Sequence, residues 1–245
     1  MRRILLTICY DGTNYCGWQV QKNGLSVQSV VQDCLETVVG RIEKGICGCS
    51  RTDSGVHANK YCLHFDIENP IRCESIVNAL NSRLPHDISV IEAVEVPGDF
   101  HARYSCKSKT YIYKIYNSKT RNPFREKYSL RLAKDIDLEL LNKGCEAFVG
   151  THDFKAFCSA HSAVKSTTRT IYRCSAERVG NDITITVKGD GFLYNMVRII
   201  VGTLLYLNEG KITLQQLPEI IASGDRNSAG KTACAKGLFL DEIEY

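Results

Sequence analysis

Arg3 to Tyr10 reads as a β-strand closed by the turn Asp11-Gly12-Thr13. From Ser26 the period changes to that of a helix. Val27, Val30, Val31, Cys34, Leu35 and Val38 form one apolar stripe, Ser26 caps its start, and Gly40 ends it. A short strand near Ile46 leads into a loop from Arg51 to His57. Tyr61, Leu63, Phe65 and Ile67 then alternate with more polar neighbours, which predicts a half-buried strand. Ile76, Val77, Leu80 and Leu84 make a helical stripe stopped by Pro85, and Ile88 to Val96 returns to strand.

The second half repeats this order. Tyr111, Tyr113 and Ile115 alternate in a strand, and Leu138, Leu141, Cys145, Phe148 and Val149 lie on a helix ending at Gly150. Ile171 to Val179 and Ile183 to Val187 flank Gly180-Asn181 as a hairpin. A helix with Met196, Ile199, Ile200, Thr203, Leu204 and Leu207 follows, then a shorter one from Leu214 to Ile221 and a last strand from Leu238. Both halves thus read β-α-β-β-α-β, the ferredoxin-like unit. The fold expected is α+β, with two such halves, mainly antiparallel sheets and a cleft between them. The boundary is placed between residues 104 and 105, giving segments 1–104 and 105–245.

Composition narrows the class of protein. The chain has 245 residues, 44% of them apolar and 24% charged, ordinary for a globular protein with ample core. No apolar run reaches the length of a membrane span, and the run after Arg2-Arg3 stops too early for a signal peptide. A net charge of +4 mildly favours a polyanionic partner. The twelve cysteines are scattered without a C-x-x-C pair, so reduced thiols are expected rather than disulfides or a metal site.

Four segments carry candidate chemistry. In Gly48-Cys49-Ser50-Arg51-Thr52-Asp53-Ser54-Gly55-Val56-His57-Ala58, an Arg and an Asp two positions apart stand on a loop above a sheet. On its own Asp53 reads more readily as a turn residue than as a catalytic one, and His57 reads as a loop residue held to backbone. Phe100-His101-Ala102-Arg103-Tyr104-Ser105 and Lys109 to Asn117 interleave cations and aromatics, as RNA binding requires, where bases stack on rings and cations meet phosphates. The same tyrosines could simply pack a sheet face, with Tyr111 and Tyr113 on one side and Ile112, Lys114 and Tyr116 on the other. Arg198 stands among apolar residues on a core-facing helix, where an Arg is costly without a carboxylate partner, and Asp53 is the natural candidate. Gly230-Lys231-Thr232 is one residue out of phosphate-loop spacing from Gly224 and follows a helix, so nucleoside triphosphate binding is rejected.

Taken together, the chain resembles the pseudouridine synthase family, and within it the tRNA pseudouridine synthase A branch, essentially end to end. The matching residues, in order, are Tyr10-Asp11-Gly12, Gly17-Trp18-Gln19, Ser26-Val27-Gln28, Arg51 to Ala58, Phe100-His101-Ala102-Arg103, Met196-Val197-Arg198 and Gly237-Leu238. Two positions depart from the family pattern. Ser50 replaces the usual Gly, where a Cβ is unwelcome if the backbone needs positive φ, and Ser54 replaces the common Ala.

The resemblance implies isomerisation of uridine to pseudouridine, which breaks the N1–C1′ bond, turns the uracil and bonds C5 to C1′. Nothing is oxidised and nothing is lost, so neither a metal nor another cofactor is implied. Asp53 becomes the catalytic carboxylate and nucleophile, already ionised at neutral pH, with attack at C1′, attack at uracil C6 and assistance of elimination through a glycal all left open. Arg51 fills the space left when the target base is flipped out of its stem. Tyr111 stacks on the flipped uracil, Arg198 pairs with Asp53, and Leu238 forms part of the apolar wall. The implied substrate is tRNA, at positions 38 to 40 of the anticodon stem-loop, and the implied assembly is a cytoplasmic homodimer. Three rivals remain at this stage: a non-catalytic RNA-binding module, a nucleoside glycosidase that releases free uracil, and the same reaction on a different RNA or position.

Overall fold

The computed structural model describes residues 1–22, 24–159 and 165–245. The chain divides into two compact units. One is Met1–Lys107 with Phe239–Tyr245, and the other is Ser108–Leu238.

The first unit contains β1 (Arg2–Tyr10), α1 (Val27–Val39), β2 (Cys47–Gly48), β3 (His57–Ile67), α2 (Cys73–Asn81) and β4 (Ile88–Val96). The β-α-β-β-α-β order read from the sequence is present here. β1 lies between β3 and β4, antiparallel to both, and β2 pairs antiparallel with β3. Strand alternation buries Ile4, Leu6, Ile8 and Tyr10 of β1, while α1 buries Val27, Val31, Leu35 and Val39. The Ser26 side chain accepts from the Ser29 N–H and Gly40 ends the helix at φ 87°. The last strand of the chain, β10 (Leu238–Glu244), runs parallel to β3 through Phe239↔His57 and Leu240↔Ala58. That pairing groups the C-terminal residues with the first unit, a placement that chain order by itself does not give.

The second unit contains β5 (Ser108–Asn117), β6 (Leu130–Leu132), α3 (Leu138–Glu146), β7 (Gly150–Asp153), β8 (Thr168–Val179), β9 (Asp182–Gly189), α4 (Met196–Asn208) and α5 (Gln216–Ser223). Its sheet runs β5-β9-β8-β7, antiparallel throughout, with β6 added in parallel to β5. The hairpin between β8 and β9 turns at Gly180, φ 59°, where a left-handed residue is needed. α3 packs so closely on α4 that a Cβ at Gly144 would lie 2.6 Å from Leu207 and 2.8 Å from Leu204. The fold is therefore α+β with mainly antiparallel pairing, as expected. Two short strands, β6 and β7, go beyond the sequence reading. Three or four residues are too few to show a period, and Gly150 opens β7 instead of closing α3.

Candidate active site

Asp53 lies on the loop between β2 and β3, and that loop is clamped mainly through its backbone. The Trp18 N–H donates to the Thr52 carbonyl at 3.1 Å, and the Gly55 N–H donates to the Tyr15 carbonyl at 3.3 Å. The Val56 N–H closes a turn onto the Asp53 carbonyl at 3.1 Å. Beneath the loop, the buried hydroxyls of Tyr10 and Thr52 are 2.8 Å apart. Tyr61 donates from its hydroxyl to the Ser50 carbonyl, and its ring stacks on Trp18 with centroids 4.0 Å apart.

Three glycines explain why these separate sequence pieces occur together. A Cβ on Gly12 would lie 2.0 Å from the Val56 carbonyl oxygen, and one on Gly17, φ 102°, 2.5 Å from the Thr52 oxygen. One on Gly48 would lie 2.1 Å from the Tyr61 hydroxyl and 2.7 Å from Trp18 Nε1. The segments Tyr10-Asp11-Gly12 and Gly17-Trp18 are thus the mould of the Asp53 loop, a role their sequence did not disclose. Gly55, φ 75°, takes the left-handed position that lets the chain leave the turn into β3. The result is a half-buried Asp53 between a buried Thr52 and an exposed Ser54, with Arg51 exposed two residues before it.

The two departures from the family pattern have a plain reading. Among the described non-glycine residues only Asn195 has positive φ, so Ser50 carries its Cβ on an ordinary backbone. Ser54 donates from Oγ to the Tyr15 carbonyl at 3.2 Å, a bond Ala cannot make.

In the second unit, Tyr111 and Tyr113 share the buried face of β5. Tyr111 meets Phe192 edge-on at 5.1 Å. Tyr113 donates to the Cys234 carbonyl at 2.8 Å, and its burial pushes the hydroxyl pKa up. Arg198 projects from the first turn of α4. Its Nε donates to the Ala233 carbonyl at 2.7 Å and its Nη1 to Asn195 Oδ1 at 2.7 Å. The Ala233 N–H returns a bond to the Arg198 carbonyl at 3.0 Å. Leu238, 5% exposed, opens β10.

Gly230-Lys231-Thr232 wraps α4 instead of cradling a phosphate. The Gly230 N–H donates to Thr203 Oγ1 at 2.8 Å, and a Cβ on Gly202 would lie 1.6 Å from the Lys231 carbonyl oxygen. These glycines serve helix-to-loop contact.

Cys47, His64 and His101 are a cluster the sequence reading missed, because they come from β2, β3 and the loop after β4. Their ligand-type atoms lie within 4.8 Å of one another. Their hydrogen bonds nevertheless argue against a metal. His64 Nδ1 accepts from the Ala102 N–H at 3.1 Å, and His101 Nδ1 accepts from Arg103 and Tyr104 N–H at 3.2 and 3.3 Å. With Nδ1 accepting, each neutral ring carries its proton on Nε2, so no bare nitrogen remains for an ion. His101 Nε2 lies 3.6 Å from Cys47 Sγ and in this tautomer donates to it. Burial, with help from His101 and Arg3, lowers the His64 pKa to about 4. Burial also raises that of Cys47, opposed by Arg103 and Arg3. The cluster is a hydrogen-bonded brace between β3 and the segment after β4.

His57 behaves similarly. Its Nδ1 accepts from the Gly12 N–H at 3.0 Å, and its ring stacks on Phe239 at 4.6 Å. Asp11 Oδ1 lies 3.1 Å from that same nitrogen. That contact is an ion pair when the ring carries both protons.

The first unit presents a clamped, half-buried carboxylate at Asp53, and the second an oriented guanidinium at Arg198. The family model described as tRNA pseudouridine synthase matches residues 7–105 and 145–245. The chain belongs to that family, whose members isomerise uridine in tRNA. It is 46% identical over 246 residues to the "tRNA pseudouridine synthase A" of Ruminiclostridium cellulolyticum, with 100% of both chains covered. It is 44% identical over 245 residues to the proteins of that name in Thermoanaerobacter sp. and Clostridium acetobutylicum, again with complete coverage of both chains.

Proposed function

We propose that this protein isomerises uridine to pseudouridine in the anticodon stem-loop of tRNA, at positions 38 to 40, with Asp53 as the nucleophile. The observation that carries the reading is the Asp53 loop. A carboxylate on a backbone moulded by residues 10 to 18 is held in place before substrate arrives, which is what an attack at the base–sugar junction needs. Arg51, exposed on the same loop, enters the stem as the base leaves it. The family's target is stacked and paired, so flipping it costs a few kcal/mol, which a cation that fills the gap offsets in part.

Tyr111 provides the ring against which the flipped uracil stacks, and Leu238 supplies apolar wall. Arg198 serves as counter-ion to Asp53 and favours its ionised, nucleophilic form before the attack. The C5 proton leaves once C5 is bonded to C1′ and N1, freed from C1′, takes one up, so the sum of steps needs no oxidant and no cofactor. The enzyme acts in the cytoplasm as a homodimer. Two basic surfaces acting together explain how a chain of only +4 retains a large polyanion. No helix among the described residues is long and apolar enough to cross a membrane.

Position is tested with tRNA transcripts in which U38, U39 and U40 are replaced one at a time by C, followed by mapping of pseudouridine. Modification confined to these three positions is the expected result. Modification elsewhere on the tRNA, or only on another RNA, would replace the proposed target while leaving the family reaction in place.

A further inference from the structure

Asn195 is the one described non-glycine residue with positive φ, at φ 62° and ψ 7°. It stands at the N-cap of α4, where an Asn side chain ordinarily accepts from a first-turn N–H with its backbone extended. Here the side chain makes no capping bond. Its amide is committed elsewhere: Oδ1 accepts from Arg198 Nη1 at 2.7 Å, and Nδ2 donates to Ser159 Oγ at 2.9 Å. A second bond ties the same region down, from the Ser159 N–H to the Tyr194 carbonyl at 3.1 Å.

The guanidinium is therefore gripped on two of its nitrogens, Nη1 by Asn195 and Nε by the Ala233 carbonyl. Both acceptors are neutral. They fix the plane and rotation of the fork without cancelling its charge, which a carboxylate in either place would do. The left-handed backbone aims the Asn195 amide at Arg198, and because a guanidinium only donates, Oδ1 must face the arginine, which leaves Nδ2 to donate to Ser159.

We propose that Asn195 is a positioning residue that sets the orientation of the Arg198 guanidinium for catalysis. This rests on the role given to Arg198 above. The informative variant is Asn195→Gly, which removes the amide but favours the left-handed backbone, so the fold is spared. Asn195→Asp keeps an acceptor toward Arg198.

Two readouts decide the matter. In side-chain 15N NMR, the Arg198 Nη signals should be resolved in the wild type and in Asn195→Asp, and merge in Asn195→Gly as the fork rotates freely. In tRNA isomerisation, Asn195→Gly should lower kcat about tenfold or more with KM within about twofold, at an unchanged or higher melting temperature. Resolved Nη signals in Asn195→Gly, or a wild-type kcat, would each overturn the proposal. A wild type that isomerises nothing would instead sink the proposed function, and the NMR comparison would still decide whether Asn195 holds the arginine.

Discussion

Asp53 and Arg198 are held by different means. Asp53 rides on a loop whose main chain is moulded by another main chain: Gly12 and Gly17 bring backbone against backbone, and Trp18 and Tyr15 bond to it through peptide groups. Arg198 sits on a regular helix, and what is fixed is its side chain, through the Asn195 amide and the Ala233 carbonyl. A short side chain such as Asp has little reach, so the backbone must do the placing. A long side chain such as Arg leaves its backbone free to be helical and needs partners at its tip. The first strategy writes itself into the sequence as glycines at fixed places, whereas the second writes only a polar residue here and there.

Breaking each clamp separately sharpens this contrast. Gly12→Ala pushes on the Val56 carbonyl and Gly202→Ala on the Lys231 carbonyl, and both contacts are with backbone that cannot step aside cheaply. Each should cost about 1–3 kcal/mol of stability in chemical denaturation. Native-state hydrogen exchange should then separate them, with protection lost around residues 51–56 in the first and around 230–234 in the second. Trp18, the only tryptophan, lies under the Asp53 loop and gives a fluorescence signal for Gly12→Ala alone.

The brace formed by His64 gives a pH test of the first unit. Its pKa falls from the ordinary 6.5 to about 4 on folding, mainly through burial. The unfolded chain thus takes up this proton first as pH drops. Its contribution to stability is flat above about pH 6.5 and is lost progressively between pH 6.5 and 4. In His64→Asn, Oδ1 can still accept from the Ala102 N–H, and melting temperature should depend less steeply on pH across that window. An unchanged slope would assign the acid sensitivity to other groups.

The smallest effect is expected at the edge of the loop. Ser54→Ala removes one part-buried bond to the Tyr15 carbonyl and should alter stability by no more than about 0.5 kcal/mol. Activity should stay within about twofold of wild type, since the main-chain clamp does not depend on that hydroxyl.

Much of this was legible in the sequence, and the limits follow from the same contrast. Strand and helix periods located α1, β3, β5 and the β8–β9 hairpin because their buried faces are long enough to repeat. β6 and β7 are too short to show a period, and the parallel pairing of β10 with β3 joins residues more than 180 positions apart. Arg51 to Ala58 stood out because a tight loop needs Gly and Asp in order. The mould beneath it was legible only as family matches at Tyr10-Asp11-Gly12 and Gly17-Trp18-Gln19, since no local pattern says that these segments pack under one loop. Asn195 carried no more signal than a polar residue before a helix. The Cys47–His64–His101 brace was hidden because its members lie on three separate elements.

The central claim is that Asp53 performs the isomerisation. The direct measurement is tritium release from a tRNA transcript labelled at uridine C5, with no cofactor added, for wild type and Asp53→Ala. The account predicts release by the wild type, no free uracil, and release by Asp53→Ala no greater than buffer alone, with tRNA binding retained. Release by Asp53→Ala at the wild-type rate would contradict it and move the chemistry to another residue.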